Sequence, residues 1–135
     1  MSEAARLEAI LDAMPYARRL GVTGRFDDGM LIAALPFTPD LIGNPRLPAL
    51  HGGAVGAFLE LVAEMCLRWG RDGLPAPATI GVTAEYLRPA RARETYARAE
   101  IKRLGRRIAN LHVEAWQDAQ RTPIALLQGR FLLPD

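Results

Sequence analysis

The stretch from His51 to Trp69 constrains this chain more than any other. Val55, Phe58, Leu59, Leu61, Val62, Met65, Cys66 and Trp69 leave it little polar surface. A helix that is apolar nearly all round must be covered by other elements. The chain has 135 residues, half of them hydrophobic, which is enough for one domain with a real core. The expected domain spans residues 1–135, with residues 1–20 as an N-terminal helical segment.

What flanks the helix decides how it is covered. Ser2 to Met14 reads as an amphipathic helix. Ser2 caps it, Glu3 sits in its first turn, and Leu7, Ile10, Leu11 and Met14 share a face. Pro15 ends it, and Tyr16 to Leu20 add a turn before Gly21. Val22–Phe26 and Met30–Leu35 read as strands, with Asp27-Asp28-Gly29 as the hairpin signal between them. Pro36–Leu50 holds four prolines and reads as a partly stiff loop. Gly70–Pro77 is a turn-rich connection.

The remainder reads as four strands: Thr79–Leu87, Thr95–Arg103, Arg106–Gln117 and Pro123–Leu133. Leu104-Gly105 and Asp118–Arg121 supply turns. In the first strand, strict alternation places Ile80, Val82, Ala84 and Tyr86 on one face. Strands joined in sequence by short turns pair antiparallel. The fold class is therefore α+β: an antiparallel β-sheet, including a four-strand meander, curled around a central buried α-helix.

Composition narrows the function. A formal net charge of +2 argues against a nucleic-acid-binding protein. The basic residues are sixteen arginines and one lysine, Lys102. Arginine suits bidentate contact with phosphate and carboxylate, although genomic base composition explains the bias equally well. Cys66 is the one cysteine, so neither an intrachain disulfide nor a cysteine zinc site can form. His112 shares a strand face with Asn110 and Glu114, and no second histidine stands at metal-ligand spacing. No apolar run approaches the ~18 residues of a membrane span. The polar, acidic N-terminus is unlike a signal peptide, so a cytoplasmic protein is expected.

His51-Gly52-Gly53 opens the apolar helix. Glycines at a helix start leave backbone N–H groups uncovered, where the helix dipole favours negative charge. On a helical wheel of ~100° per residue, Gly53, Gly56, Ala57, Glu60 and Glu64 fall on one narrow stripe. A carboxylate among the smallest side chains of a greasy helix needs a reason. Together these features point to a carbonyl-polarising amide and a catalytic acid. Glu60 and Glu64, four residues apart, repel mildly if both ionise, and Glu64 is expected to be the more solvated. Gly52 and Glu60 are separated by about 12 Å of helix at ~1.5 Å per residue. If both are catalytic, an antiparallel second copy must bring its Glu60 beside Gly52, which predicts a two-fold dimer with shared sites.

His51-Gly52-Gly53 followed by Glu60 resembles the signature of hotdog-fold acyl-CoA thioesterases. The likeness is to the PaaI-like and 4-hydroxybenzoyl-CoA thioesterase branch. Tyr86-Leu87-Arg88-Pro89, Gly105-Arg106-Arg107 and Gln128-Gly129-Arg130 resemble later segments of that branch, so the likeness runs from about Gly21 to the C-terminus. It implies hydrolysis of acyl-CoA without a metal or other cofactor, in homodimers or dimer-of-dimers tetramers. It further implies that the Gly52 or Gly53 amide polarises the thioester carbonyl. On the same resemblance, Glu60 of the partner subunit is expected to act as nucleophile or general base, His51 to hold the thioester end or the loop, and Thr79 to bring a hydroxyl close to the site. Arg88, Arg91, Arg103, Arg106 and Arg107 become candidates for the CoA phosphates.

Two positions depart from that pattern. Relatives often carry Asn or Gln where Pro45 stands, which leaves Asn44 as the substitute. Relatives using Glu often carry Ser or Thr one turn later, where this chain has Glu64. Two other readings remain open on sequence alone. One is a hotdog hydratase or dehydratase acting on acyl thioesters, with His51 as base. The other is a non-catalytic acyl-CoA-binding protein that keeps the fold.

Overall fold

Helix α1 (Glu3–Asp12) begins at the Ser2 hydroxyl, which accepts from the Ala5 N–H at 3.1 Å. The computed structural model describes residues 1–71 and 75–134. Pro15 does not merely end α1. It stands at the start of a second short helix, α2 (Pro15–Leu20), where its missing N–H costs nothing. Gly21, at φ 75°, closes α2 in the left-handed conformation.

Strands β1 (Thr23–Asp27) and β2 (Met30–Leu35) form the expected hairpin. Asp28 and Gly29 both have positive φ (50° and 77°), as a two-residue turn between right-twisted strands requires. The proline-rich segment is more ordered than its sequence indicates. It contains a 3₁₀ turn (Pro39–Leu41) and a small antiparallel ribbon, β3 (Ile42–Asn44) with β4 (Ala49–Leu50). These strands are too short to show alternation. The ribbon lies tightly against the next helix, because a Cβ on Gly43 would come within 2.7 Å of the His51 Cα.

The long helix α3 (Gly52–Gly70) is followed by β5 (Ala78–Tyr86), β6 (Thr95–Leu104), β7 (Ile108–Trp116) and β8 (Ala125–Leu132). The connection expected over Gly70–Pro77 lies partly outside the described residues. All six strands from β1, β2 and β5–β8 join one antiparallel sheet in the order β1-β2-β6-β7-β8-β5. The expected four-strand meander therefore holds for β6, β7 and β8 only. Strand β5 pairs with β8, while β6 pairs with β2. The segment 87–94 carries Pro89 and makes no hairpin; instead the Leu87 and Arg88 N–H groups donate to the Ile124 carbonyl.

Helix α3 lies across β6, β7 and β8. Its Val55, Phe58, Leu59, Val62, Ala63 and Met65 are buried there, with Leu7, Ile10 and Leu11 of α1 in the same core. Each large apolar side chain so buried contributes about 1.5–3 kcal/mol. The helix is not covered all round, however. None of Gly53, Gly56, Ala57, Glu60 and Glu64 is buried, so the small-residue stripe stays open. Strand β5 is an edge strand, and its Ile80, Val82 and Tyr86 are exposed. Among the described residues, no helix is long and apolar enough to cross a membrane.

Candidate active site

The start of α3 has one backbone donor to spare. His51 is the N-cap, with extended backbone (φ −64°, ψ 130°). Its own N–H donates to the Leu41 carbonyl at 2.7 Å. The Gly53 N–H donates to His51 Nδ1 at 2.9 Å. The Ala54 and Val55 N–H groups both donate to the His51 carbonyl. Among the described residues, nothing accepts from the Gly52 N–H. Of the two amides singled out from sequence, Gly53 is thus occupied and Gly52 is free. Because Nδ1 accepts, a neutral His51 carries its proton on Nε2.

Glycine at these positions is a steric need as well as an electrostatic one. A Cβ on Gly53 would meet the His51 ring at 2.9 Å, and one on Gly56 would meet the Tyr86 hydroxyl at 2.9 Å. Tyr86, at the end of β5, donates its phenolic hydrogen to the Gly52 carbonyl at 2.8 Å. The Gly52–Gly53 peptide is therefore held at both ends, its C=O by Tyr86 and its N–H by His51. Tyr86 was not foreseen as a site residue. Its position over the helix start depends on which strand neighbours α3, and no local pattern encodes that.

Two turns further along, Glu60 is half-buried and its Oε2 accepts from the Thr79 hydroxyl at 2.9 Å. Strict alternation would turn Thr79 away from the helix. The β5–β8 register slips between Thr79 and Gly81, so Thr79 lies opposite Phe131 and Val82 opposite Gly129. Phe131 and Gly129 both face the core. The bulge leaves Ile80 as the extra residue and brings Thr79 to the helix side with Val82, Ala84 and Tyr86.

The remaining candidates lie apart from this pair. The Glu64 carboxylate is taken by buried Arg68 at 2.8 Å, one turn on, so Glu64 is less solvated than its sequence position indicates. The Asn44 side-chain oxygen accepts from the Arg46 N–H at 3.0 Å, closing a turn at the ribbon tip. Arg88 donates to the Pro123 carbonyl and lines a largely apolar groove of about 390 Å³ beside Gly52. Leu50, Val55, Leu87 and Ile124 line the same groove. Arg106 stands with Arg103, Arg107 and Arg130 around a shallow depression at the β6–β7 turn. Among the described residues, no three His, Cys, Asp or Glu side chains converge as metal ligands.

The family model for the acyl-CoA thioesterase N-terminal domain matches residues 44–132, which include the whole of α3 and its glycine-rich start. The chain belongs to the acyl-CoA thioesterase family. The thioesterase likeness extends to whole proteins. The medium/long-chain acyl-CoA thioesterase YigI of Escherichia coli is 26% identical over 121 residues, covering 79% of this chain and 78% of YigI. A Chromobacterium violaceum protein of known structure is 37% identical, with a TM-score of 0.76 over 97% of this chain and 91% of its own. A phenylacetic acid degradation-related protein of Ralstonia eutropha is 25% identical, with a TM-score of 0.80 over 95% of this chain and 99% of its own. The sheet curled on α3 is the hotdog fold, and this thioesterase is a thioester hydrolase.

Proposed function

We propose that this thioesterase hydrolyses acyl-CoA in two composite sites. Each is built from Gly52 of one subunit and the partner subunit's Glu60. One observation carries the reading. The free Gly52 N–H opens α3 and the Thr79-held carboxylate of Glu60 lies on its open stripe, about 12 Å further along the helix. Reacting groups must approach within about 3 Å of the thioester. A second α3 running antiparallel removes the gap at both ends at once. The exposed edge of β5, with its unpaired backbone and apolar side chains, supplies a surface for that pairing. The assembly is a homodimer, or a tetramer made of two such dimers.

In each site the thioester oxygen accepts from the Gly52 N–H, and the positive end of α3 stabilises the charge that develops on it. The partner's Glu60, oriented by the partner's Thr79, acts from the other side as nucleophile or as general base on water. Water adds to the carbonyl directly, or the carboxylate does so and water then opens the mixed anhydride; the new C–O bond replaces the C–S bond, and the CoA thiolate takes up the proton that water gives to Glu60. His51 Nε2–H faces the entrance and steadies the thioester end. The groove lined by Leu50, Val55, Leu87 and Ile124 receives the acyl chain, in keeping with the medium/long-chain activity of YigI. Arg88 at its rim and, from the partner subunit, whose other sheet end meets this one, Arg106 with its neighbours hold the CoA phosphates. Asn44 and Glu64 shape the site from their turn and ion pair.

The test follows free thiol released from octanoyl-, palmitoyl- and benzoyl-CoA. Release is lost in Glu60→Gln and persists in Glu64→Gln. Equal rates in wild type and Glu60→Gln would overturn the proposal.

A further inference from the structure

We infer that Tyr86 is a positioning residue for hydrolysis, acting through the peptide that joins Gly52 to Gly53. The inference rests on the proposed role of the Gly52 N–H. The Tyr86 hydroxyl donates to the Gly52 carbonyl at 2.8 Å, and the Gly53 N–H donates to His51 Nδ1 at 2.9 Å. These bonds form one chain, from phenol through peptide to imidazole. Each bond polarises the next.

The chain fixes three things at once. It sets the plane of the Gly52–Gly53 peptide, and hence the direction of the neighbouring Gly52 N–H. It holds His51 as an Nδ1 acceptor, which leaves Nε2–H as the donor facing the substrate. It also pins the start of α3 to the last residue of β5, the strand whose first residues hold Glu60 through Thr79. Gly56 keeps the path of the phenol clear: a Cβ there would lie 2.9 Å from its oxygen, whereas one on Gly52 would meet the ring at an ordinary 3.7 Å. Tyr86 touches neither reacting atom in this scheme. Its contribution is to hold the amide proton where charge develops on the thioester oxygen.

Two variants separate positioning from simple packing. Tyr86→Phe keeps the ring and removes the hydroxyl. Gly56→Ala keeps the hydroxyl but pushes it off the Gly52 carbonyl, while giving α3 a better helix former. Both are expected to lower kcat for octanoyl-CoA by about ten- to a hundredfold, with KM changed less than about twofold. Gly56→Ala should show no fall in Tm. A merely structural role predicts instead that activity follows Tm, so that Gly56→Ala remains fully active. If Tyr86→Phe does not fold, Gly56→Ala decides alone. Wild-type kcat in Gly56→Ala, or in a folded Tyr86→Phe, overturns the inference. If Glu60→Gln is then inactive, the proposed function stands. Unchanged turnover in Glu60→Gln overturns the proposed function and this inference with it.

Discussion

Thr79 reaches Glu60 because β5 carries one extra residue between Thr79 and Gly81. Without the slip the hydroxyl would face away from α3, and the carboxylate would have no fixed orientation. Replacing the hydroxyl should therefore act on the chemical step. Thr79→Ala is expected to lower kcat by about tenfold, and Thr79→Ser to restore most of it. Combined with Glu60→Gln, Thr79→Ala should cost nothing further, because residues acting as one unit are not additive. Steady-state thiol release from wild type, the three single variants and the double variant checks this.

Gly52 offers an unusually clean deletion of an amide proton. It is the first residue of α3, where proline is favoured, and His51 already has the extended backbone that precedes proline. A Cβ there meets the Tyr86 ring at an ordinary 3.7 Å. Gly52→Pro should keep or raise Tm. It should lower kcat by about 10²–10³-fold, the usual cost of losing one donor to a developing oxyanion. Gly52→Ala, which keeps the N–H, should remain within about tenfold of wild type.

His51 caps α3 and, in the proposed site, also donates to the thioester end, and the two roles are separable. As N-cap it accepts from the Gly53 N–H, and losing that bond should cost about 1 kcal/mol. His51→Asn can cap equally well but lacks an Nε2 donor. Thermal unfolding should show His51→Ala destabilised and His51→Asn near wild type, whereas thiol release should be reduced in both. Gly53→Ala places a methyl at 2.9 Å from the imidazole and should reproduce the His51→Ala loss of stability.

Cys66 is partly buried against the core, which has a consequence for pH. Burial pushes its thiol above the ordinary range. The unfolded chain therefore loses this proton at lower pH than the folded one. Through this group, stability falls as pH rises past about 8.5, the unfolded thiol's ordinary value. Cys66→Ala should flatten that part of the stability curve. Since the thiolate is the nucleophile, iodoacetamide at pH 8 should label the folded protein much more slowly than the urea-unfolded chain.

Much of this architecture is legible in local pattern. The apolar run gives α3, the Ser2 and Pro15 signals give α1 and α2, and Asp28-Gly29 gives the β1–β2 hairpin. These depend on residues close in sequence. The pairing of β5 with β8 does not, nor does the bulge at Ile80. Both are settled by which strands α3 must cover, and the bulge changes which face of β5 carries Thr79. For the same reason a wheel finds the stripe holding Glu60 but not the phenol that lies over it. Glu64 illustrates a different gap. Its partner Arg68 stands at i+4, a spacing visible in the sequence, but the wheel sets Glu64 beside Glu60 and leaves the competing pair unweighed.

Shared sites are the central claim, and subunit complementation measures them most directly. Gly52→Pro lacks the polarising proton but keeps Glu60, while Glu60→Gln lacks the carboxylate but keeps Gly52. Each homodimer should be inactive. When the two are unfolded together and refolded in equal amounts, about half the dimers are mixed, and each mixed dimer contains one intact site of two. Thiol release from octanoyl-CoA should then recover to about a quarter of the wild-type rate. Recovery to that level is the predicted result. A mixture of proven heterodimers that stays as inactive as its parents would contradict the account.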